Sequence, residues 1–292
     1  MQSRIRKVMR DARAWATLLA LAVTAGAVGL SATRPAEANA RRATAGAVNM
    51  SVTPTAEANA KRLLKGMSDY MAAQNAFSFD YDTDLEVVTK ENQKIGLASS
   101  GTMTVNRPDK MRATRMGGFA DVEFVFDGKT MTMFGKNANA YAQAEAPGTI
   151  DRLVDELRDK YHRPIPGADL LMADVYDQLM PEVVDTKDLG SGVIGGVECD
   201  HLAFRSKEVD WQIWIAQGSR PYPCRYVITS TQVNRAPQYS INVRTWKTGA
   251  EVASDRFTFK APADAKKLNP GDLRDFDELP TIFAIKKANG GR

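Results

Sequence analysis

Histidine and cysteine are scarce in this chain, with two of each among 292 residues. His162, His201, Cys199 and Cys224 offer no paired ligand spacing for a zinc module, and two thiols cannot staple a cysteine-rich scaffold. Also missing are G-x-S-x-G, H-E-x-x-H and a Gly-rich loop that opens a helix. The run "GSGVIGG" from Gly190 to Gly196 leads into a strand, so it lacks the context of a nucleotide fingerprint. His162 follows a helix end beside Arg163 and Pro164 and reads as a C-terminal cap. His201 sits in an alternating strand, where a satisfied core or rim residue is a simpler reading than a metal site shared with Cys199 and Asp210. An unrecognised hydrolase would therefore have no nucleophile paired with a base. We expect no catalytic residue, no metal and no cofactor.

A hydrophobic run long enough to span a bilayer as a helix is lacking too, since about 20 apolar residues are needed. The uncharged stretch from Trp15 to Leu30 is shorter than that and rich in Ala and Gly. Arg4, Arg6, Lys7, Arg10 and Arg13 precede it, and Ala38-x-Ala40 follows. A basic start, an apolar middle and a small-residue end make a secretory signal peptide, predicted to be cleaved after Ala40. The basic start has no twin-Arg pair, which points to the general secretory route. Without a cysteine near Ala40 a lipid-modified N-terminus is excluded. The mature chain is expected to be periplasmic, with no stable membrane insertion.

Residues 1–40 hold six of the 39 basic residues and two of the 35 acids, which leaves 33 of each sign in the mature chain. The apparent basicity belongs to the targeting peptide. A neutral domain lacks the concentrated positive face that a phosphate backbone requires, so nucleic acid is not an expected partner.

The pentapeptide "AEANA" occurs twice, at Ala36–Ala40 and Ala56–Ala60, in two different roles. The first copy ends the disposable peptide. The second opens a helix, with Thr55 as N-cap, Glu57 at the positive end of the dipole, and Ala56, Ala60, Leu63, Leu64, Met67, Met71 and Ala72 at 3 and 4 spacing.

The period then changes to two. "FSFDYDTDLEV" sets Phe77, Phe79, Tyr81, Leu85 and Val87 against Ser78, Asp80, Asp82, Asp84 and Glu86, a strand with one dry and one wet side. The acids on that wet side read as a solvated surface. Further strands are read in "KIGLASSGTMTV", "KMRATRM", "DVEFVF", "KTMTMFG" and "AYAQAEA", with a tight hairpin turn at Asp127-Gly128. Two helices are predicted next. One carries Ile150, Leu153, Val154, Leu157 and Tyr161; the other carries Leu170, Leu171, Val175, Leu179 and Met180. Strands resume in "VDTKDLGS", "GVECDHLAF", "VDWQIWIA", "PCRYVITS", "PQYSINVRTW" and "RFTFKAP".

The sum is an α+β protein: a strongly curved antiparallel sheet of about 11 strands, an incomplete β-barrel, wrapped over amphipathic helices. Two small sandwiches are the physical alternative. The expected organisation is a signal peptide at 1–40, a flexible segment at 41–52, a single domain at 53–268, and an extension at 269–292 whose only apolar patch is "LPTIFAI".

The segments "FVFDGKTMT", "AYAQAEAPGTID", "GADLLMADVYDQLM", "DHLAFR" and "VDWQIWI" in this order resemble a bacterial family of predicted periplasmic proteins of uncharacterised function. That family is grouped by fold with the LolA/LolB-like lipoprotein carriers, whose incomplete barrel is plugged by helices around an apolar cavity. The resemblance covers about Ala56 to Leu268. It implies a carrier or binder of a lipid or acylated ligand, with an envelope protein partner as the alternative, and it carries over no residue position by position.

The residues themselves allow such a cavity. With a short turn at Ser206–Glu208, the register places Cys199, Ile215 and Cys224 in one row, His201, Ile213 and Tyr226 in the next, and Ala203, Trp211 and Ile228 in a third. Trp211, Ile213, Ile215, Tyr226 and Ile228 then share a face, read either as core or as ligand lining. Met103, Met131 and Met133 are further lining candidates, since methionine makes adaptable apolar walls. That register separates Cys199 from Cys224 by two strand spacings, about 9.6 Å, beyond the roughly 7 Å span of a disulfide. A bulge at "RPYPC" would shorten the distance, and the bridge stays open at this level.

Overall fold

Side chains that alternate between apolar and polar must face two different environments, and strand β1 (Ala76–Val88) does so, with Phe77, Phe79 and Tyr81 buried. The computed structural model describes residues 55–89, 91–118, 121–159, 165–252 and 257–270. The predicted signal peptide, the 41–52 segment, Tyr161, His162 and the extension beyond residue 270 lie outside the described residues.

Helix α1 (Ala56–Ala72) comes first, and the Thr55 side chain accepts the Ala58 N–H at its start, as the cap reading expects. Strands β1, β2 (Lys94–Asn106), β3 (Lys110–Gly117), β4 (Asp121–Phe126), β5 (Thr130–Gly135) and β6 (Ala140–Glu145) form a meander. Helix α2 (Ile150–Asp159), a 3-10 turn at Ala168–Leu171 and the short helix α3 (Val175–Leu179) come next. The chain then forms a second meander of β7 (Asp185–Ile194), β8 (Val197–Arg205), β9 (Val209–Ala216), β10 (Pro223–Ser230) and β11 (Gln238–Thr248), and ends in the short β12 (Lys266–Leu268).

The twelve strands of the described residues form one sheet, ordered β12-β6-β5-β4-β3-β2-β1-β11-β10-β9-β8-β7, with β12 and β7 at its two ends. Pairing of β1 with β11 fuses the two meanders, so the two-sandwich alternative does not hold. The protein is an α+β open, curved sheet. The twelfth strand, β12, runs parallel to β6.

Three local expectations are corrected. The hairpin of β8 and β9 closes with Ser206 N–H donating to Val209 O at 2.8 Å, leaving only Lys207 and Glu208 in the turn. That moves the register by one residue, so Leu202 lies opposite Ile213 and Phe204 opposite Trp211, while His201 faces away from them beside Trp214. The helix expected over Leu170–Met180 is broken in two. Met172 is extended with its carbonyl accepting from Arg107 at 3.1 Å, and the next N–H, of Ala173, donates to Asp151 at 3.2 Å. Two tertiary bonds thus take the backbone groups that a continuous helix would need. "RFTFKAP" is not a strand over its described part; Phe259 instead packs on Phe134 and Tyr141, at ring distances of 5.7 and 5.2 Å.

The core lies between the concave face of the sheet and the helices. Ala60, Leu64, Met67 and Met71 of α1 are buried there with Ile150, Leu153 and Leu157 of α2 and Val175 and Leu179 of α3. Ser68, itself buried in α1, accepts the Tyr176 N–H at 3.0 Å and pins α3 to it. Trp246 closes one end, stacked on Phe77, Phe79 and Tyr222 at 5.2, 5.6 and 5.0 Å.

Candidate functional site

Cross-strand partners in a sheet share a face, so the concave surface can be traced from strand to strand. The rows run from Phe126 and Phe124 on β4 through Met111 and Ala113, then Val105 and Met103, to Phe77 and Phe79 on β1. On the other side of β1, Val243 and Ile241 lie opposite Tyr81 and Thr83, and Ile241 leads to Tyr226 and Ile213.

Helices cover only part of this surface. Trp211, Ile213, Ile215 and Tyr226 are enclosed in the core, none more than 3% exposed. Ile228, Met103 and Met131 are half-buried at the core's margin, together with Phe124, Ile241 and Val243. Met133, opposite Phe124 and on the same face as Met131, is also half-buried. The eight candidates therefore divide. Four are packed interior, and four line a trough that the described helices leave partly open.

Phenols line part of the trough, and Arg115 stands on the same face. Tyr81 lies across Gly101 and donates a 2.8 Å hydrogen bond to Thr114 O. Burial pushes the Tyr81 phenol up to about 12, although the nearby Arg115 guanidinium pulls the other way. Burial also raises the Tyr239 and Tyr226 phenols, and it raises the Asp169 carboxyl against the attraction of Arg158. Gly167, at φ +78°, lays the loop after α2 against the rings of Tyr226 and Tyr239. A β-carbon at Gly167 would stand 3.8 Å from Tyr226.

Sequence reasoning missed Tyr81 and Tyr239 as trough residues. A signal was present at Gly101, since glycine inside an alternating strand marks the close approach of another group.

The opposite, convex face is polar. The acids of β1 are engaged there: Asp82 with Arg244 at 2.8 Å and with the Ser100 hydroxyl at 2.6 Å, and Glu86 with Lys94 at 3.0 Å. A shallow depression of about 300 Å³ lies among Asp80, Thr102, Thr114, Met116, Lys136 and Arg244. His201 is also on this face, stacked on Trp214 at 4.0 Å with its Nε2 paired to Gln212 Oε1 at 2.9 Å. Asp210 is held by Arg205 through two bonds of 2.8 and 2.7 Å, so it does not join His201.

Cys199 and Cys224 form a second small core with Ala216, where Cys199 lies opposite Ala216. A bulge of the kind that would shorten the distance is present at the entry to β10, as a register shift between Pro223 and Arg225. Both thiols are free and buried, and burial is the main cause that raises each of them. The Cys199 thiol donates to Val197 O at 3.4 Å.

A family model described as "Predicted periplasmic protein (DUF2092)" matches residues 60–269. No curated protein matches the chain. Among solved structures, an uncharacterized conserved protein from Thermus thermophilus is similar at 11% identity and TM-score 0.42, over 72% of this chain and 99% of that one. LprF from Mycobacterium bovis is similar at 12% identity and TM-score 0.43, over 67% and 96%. The LolA superfamily protein NE2245 from Nitrosomonas europaea aligns at 9% identity and TM-score 0.31, over 68% and 97%.

Proposed function

Because the chain belongs to the DUF2092 family of predicted periplasmic proteins, we propose that it is a non-catalytic carrier or binder of a lipid or acylated ligand in the periplasm. The ligand lies along the trough between the curved sheet and the helices. The observation that carries this reading is the division of the concave face. Its helix-covered part is solid core, while Met103, Phe124, Met131, Ile228, Ile241 and Val243 continue the same apolar surface half-open to solvent. A continuous apolar surface of this kind marks a binding site more often than it marks idle exterior. The buried, neutral Tyr81 and Tyr239 keep the trough free of charge at their positions.

Native mass spectrometry of the protein purified from an envelope extract tests this. A bound mass in the lipid range, displaced by a fluorescent fatty acid, is the expected result. Unliganded protein that ignores the fatty acid would remove the reading.

A second reading, an envelope interaction module, has its own observation. The edge strand β7 and the residue before it expose Val184 at 64% and Val193 at 68%. α1 lies against β7, where Asn59 donates to Asp188 at 2.6 Å, and an end strand with exposed apolar side chains beyond such a contact can serve as a template for strand addition by a partner. A pull-down that yields a stoichiometric partner in lipid-free form would favour it.

A further inference from the structure

Among the described residues of strands β1 to β6, Arg115 is the one charged side chain on the concave face. Its row runs Val122, Arg115, Gly101, Tyr81 and Val243 from β4 to β11. The neighbouring row holds Phe124, Ala113, Met103 and Phe79. The acids of β1 point to the convex side. Asp188 and Asp200 face the concave side on β7 and β8, where Asn59 and Gln217 hold them at 2.6 and 2.9 Å. A half-buried cation beside an apolar trough is costly to desolvate, and an anion brought to it offsets that cost.

Two phenols stand within electrostatic reach of Arg115. Its guanidinium pulls the Tyr81 and Tyr239 phenols down against the burial that raises them. Tyr81 spends its proton on Thr114 O. Tyr239, half-buried and opposite Leu85 and Ile228, keeps its proton, and its hydroxyl makes no hydrogen bond to another described residue. It is a second donor on the same face as the cation.

We propose that Arg115 and the Tyr239 hydroxyl hold the head of the ligand, and that this head is a single carboxylate, so the trough takes a free fatty acid in preference to a neutral acyl ester. The proposal rests on the acyl-ligand reading of the trough. A guanidinium carries several donors in a fixed fork, so it can serve an existing contact and a carboxylate together. One cation balances one negative charge, whereas a phosphomonoester brings nearly two. A phosphodiester carries a further polar group beyond its phosphate, and Val122 and Val243, the apolar members of the Arg115 row, offer it no partner. The alkyl tail then lies on Met103, Phe124, Met131 and Met133, with Ala113 two residues from Arg115, about 7 Å along β3.

The test titrates cis-parinaric acid and its methyl ester into the parent, Arg115→Gln, Arg115→Lys and Tyr239→Phe. The parent should bind the acid about tenfold more tightly than the ester, the scale of one charge-assisted hydrogen bond. Arg115→Gln should abolish that preference by weakening the acid alone, Arg115→Lys should keep part of it, and Tyr239→Phe should weaken the acid several-fold. Ester affinity that stays constant across the variants shows that each keeps its trough. Oleate should displace the bound acid at a lower concentration than lysophosphatidylglycerol does. Equal affinity of the parent for acid and ester would overturn the proposal, as would a preference that survives Arg115→Gln. Displacement by lysophosphatidylglycerol as readily as by oleate would overturn the carboxylate assignment. A parent that binds neither probe would remove the acyl-ligand reading itself, and the anchor with it.

Discussion

The Tyr81 hydroxyl donates to Thr114 O at 2.8 Å, and the ring reaches it by crossing Gly101, where a β-carbon would stand 2.6 Å from the hydroxyl oxygen and 1.9 Å from Thr114 O. Glycine is needed here for space, since neither contact can be tolerated. Gly101→Ala should cost about 2–3 kcal/mol by overpacking and lower the melting temperature by roughly 5–10 °C. Tyr81→Phe, which deletes only the hydrogen bond, should cost about 1 kcal/mol. Thermal unfolding of the two variants checks the order. An alanine variant as stable as the parent would show that the ring does not cross this position.

The same burial gives the protein an alkaline limit. Tyr81 ionises at about 12 in the fold against 10.0 when free, and burial raises Tyr226 and Tyr239 as well. A phenol that is harder to ionise in the fold favours the native state fully below the free value. That stability is lost as pH rises from 10 towards the folded value, because the unfolded chain releases its protons first. Phenolate absorbance from this buried set should therefore appear only above pH 10, together with loss of structure. A single phase near pH 10 with the fold intact would contradict the burial.

Core and trough should also separate by mutation. Ile213 is fully buried, so Ile213→Ala should cost about 2–5 kcal/mol in stability. Met133 is half-buried at the trough, so Met133→Ser should cost less than about 1 kcal/mol while weakening fatty-acid binding several-fold. Paired denaturant melts and probe titrations check this. Unchanged binding in Met133→Ser would place the ligand elsewhere.

The strand pattern was legible because the sheet has one dry and one wet side. Phe77, Phe79 and Tyr81 alternate with acids that meet Arg244, Ser100 or Lys94 on the convex face. The pairing of Tyr226 with Ile213 and of Ile228 with Trp211 was legible for the same reason. The β8–β9 register was not, because Lys207 and Glu208 carry none of the Gly or Asn signals that set a two-residue turn. Leu202 and Phe204 held the missing hint, since both are apolar on the parity opposite to Cys199. The split of the helix over Leu170–Met180 depends on Arg107 and Asp151, far away in sequence, and no local pattern encodes it. The trough was half legible for a similar reason. Alternation tells which residues face inward, while helix placement decides which of those stay open.

The proposed export has a chemical test: the expected product of cleavage after Ala40 is a chain beginning at Arg41, and N-terminal sequencing of the envelope fraction checks it. A chain that retains Met1 and sediments with membranes would mean that the apolar stretch is kept as an anchor.

The two cysteines make export informative about chemistry as well. Cys199 and Cys224 meet across Ala216 as free, buried thiols, and their raised ionisation leaves little thiolate at neutral pH. Iodoacetamide should therefore leave the native protein unmodified and label both residues in denaturant, adding two carbamidomethyl groups. In an oxidising compartment the same contact is open to thiol–disulfide exchange, in which an external disulfide would be reduced to two thiols as the Cys199–Cys224 bond forms. Periplasmic material that takes up label in denaturant only after reduction would show that the bulge at Pro223 lets the strands close that gap. Material labelled at both sites without reduction would show that the sheet holds the thiols apart despite the oxidising surroundings, through the β9 strand that runs between them.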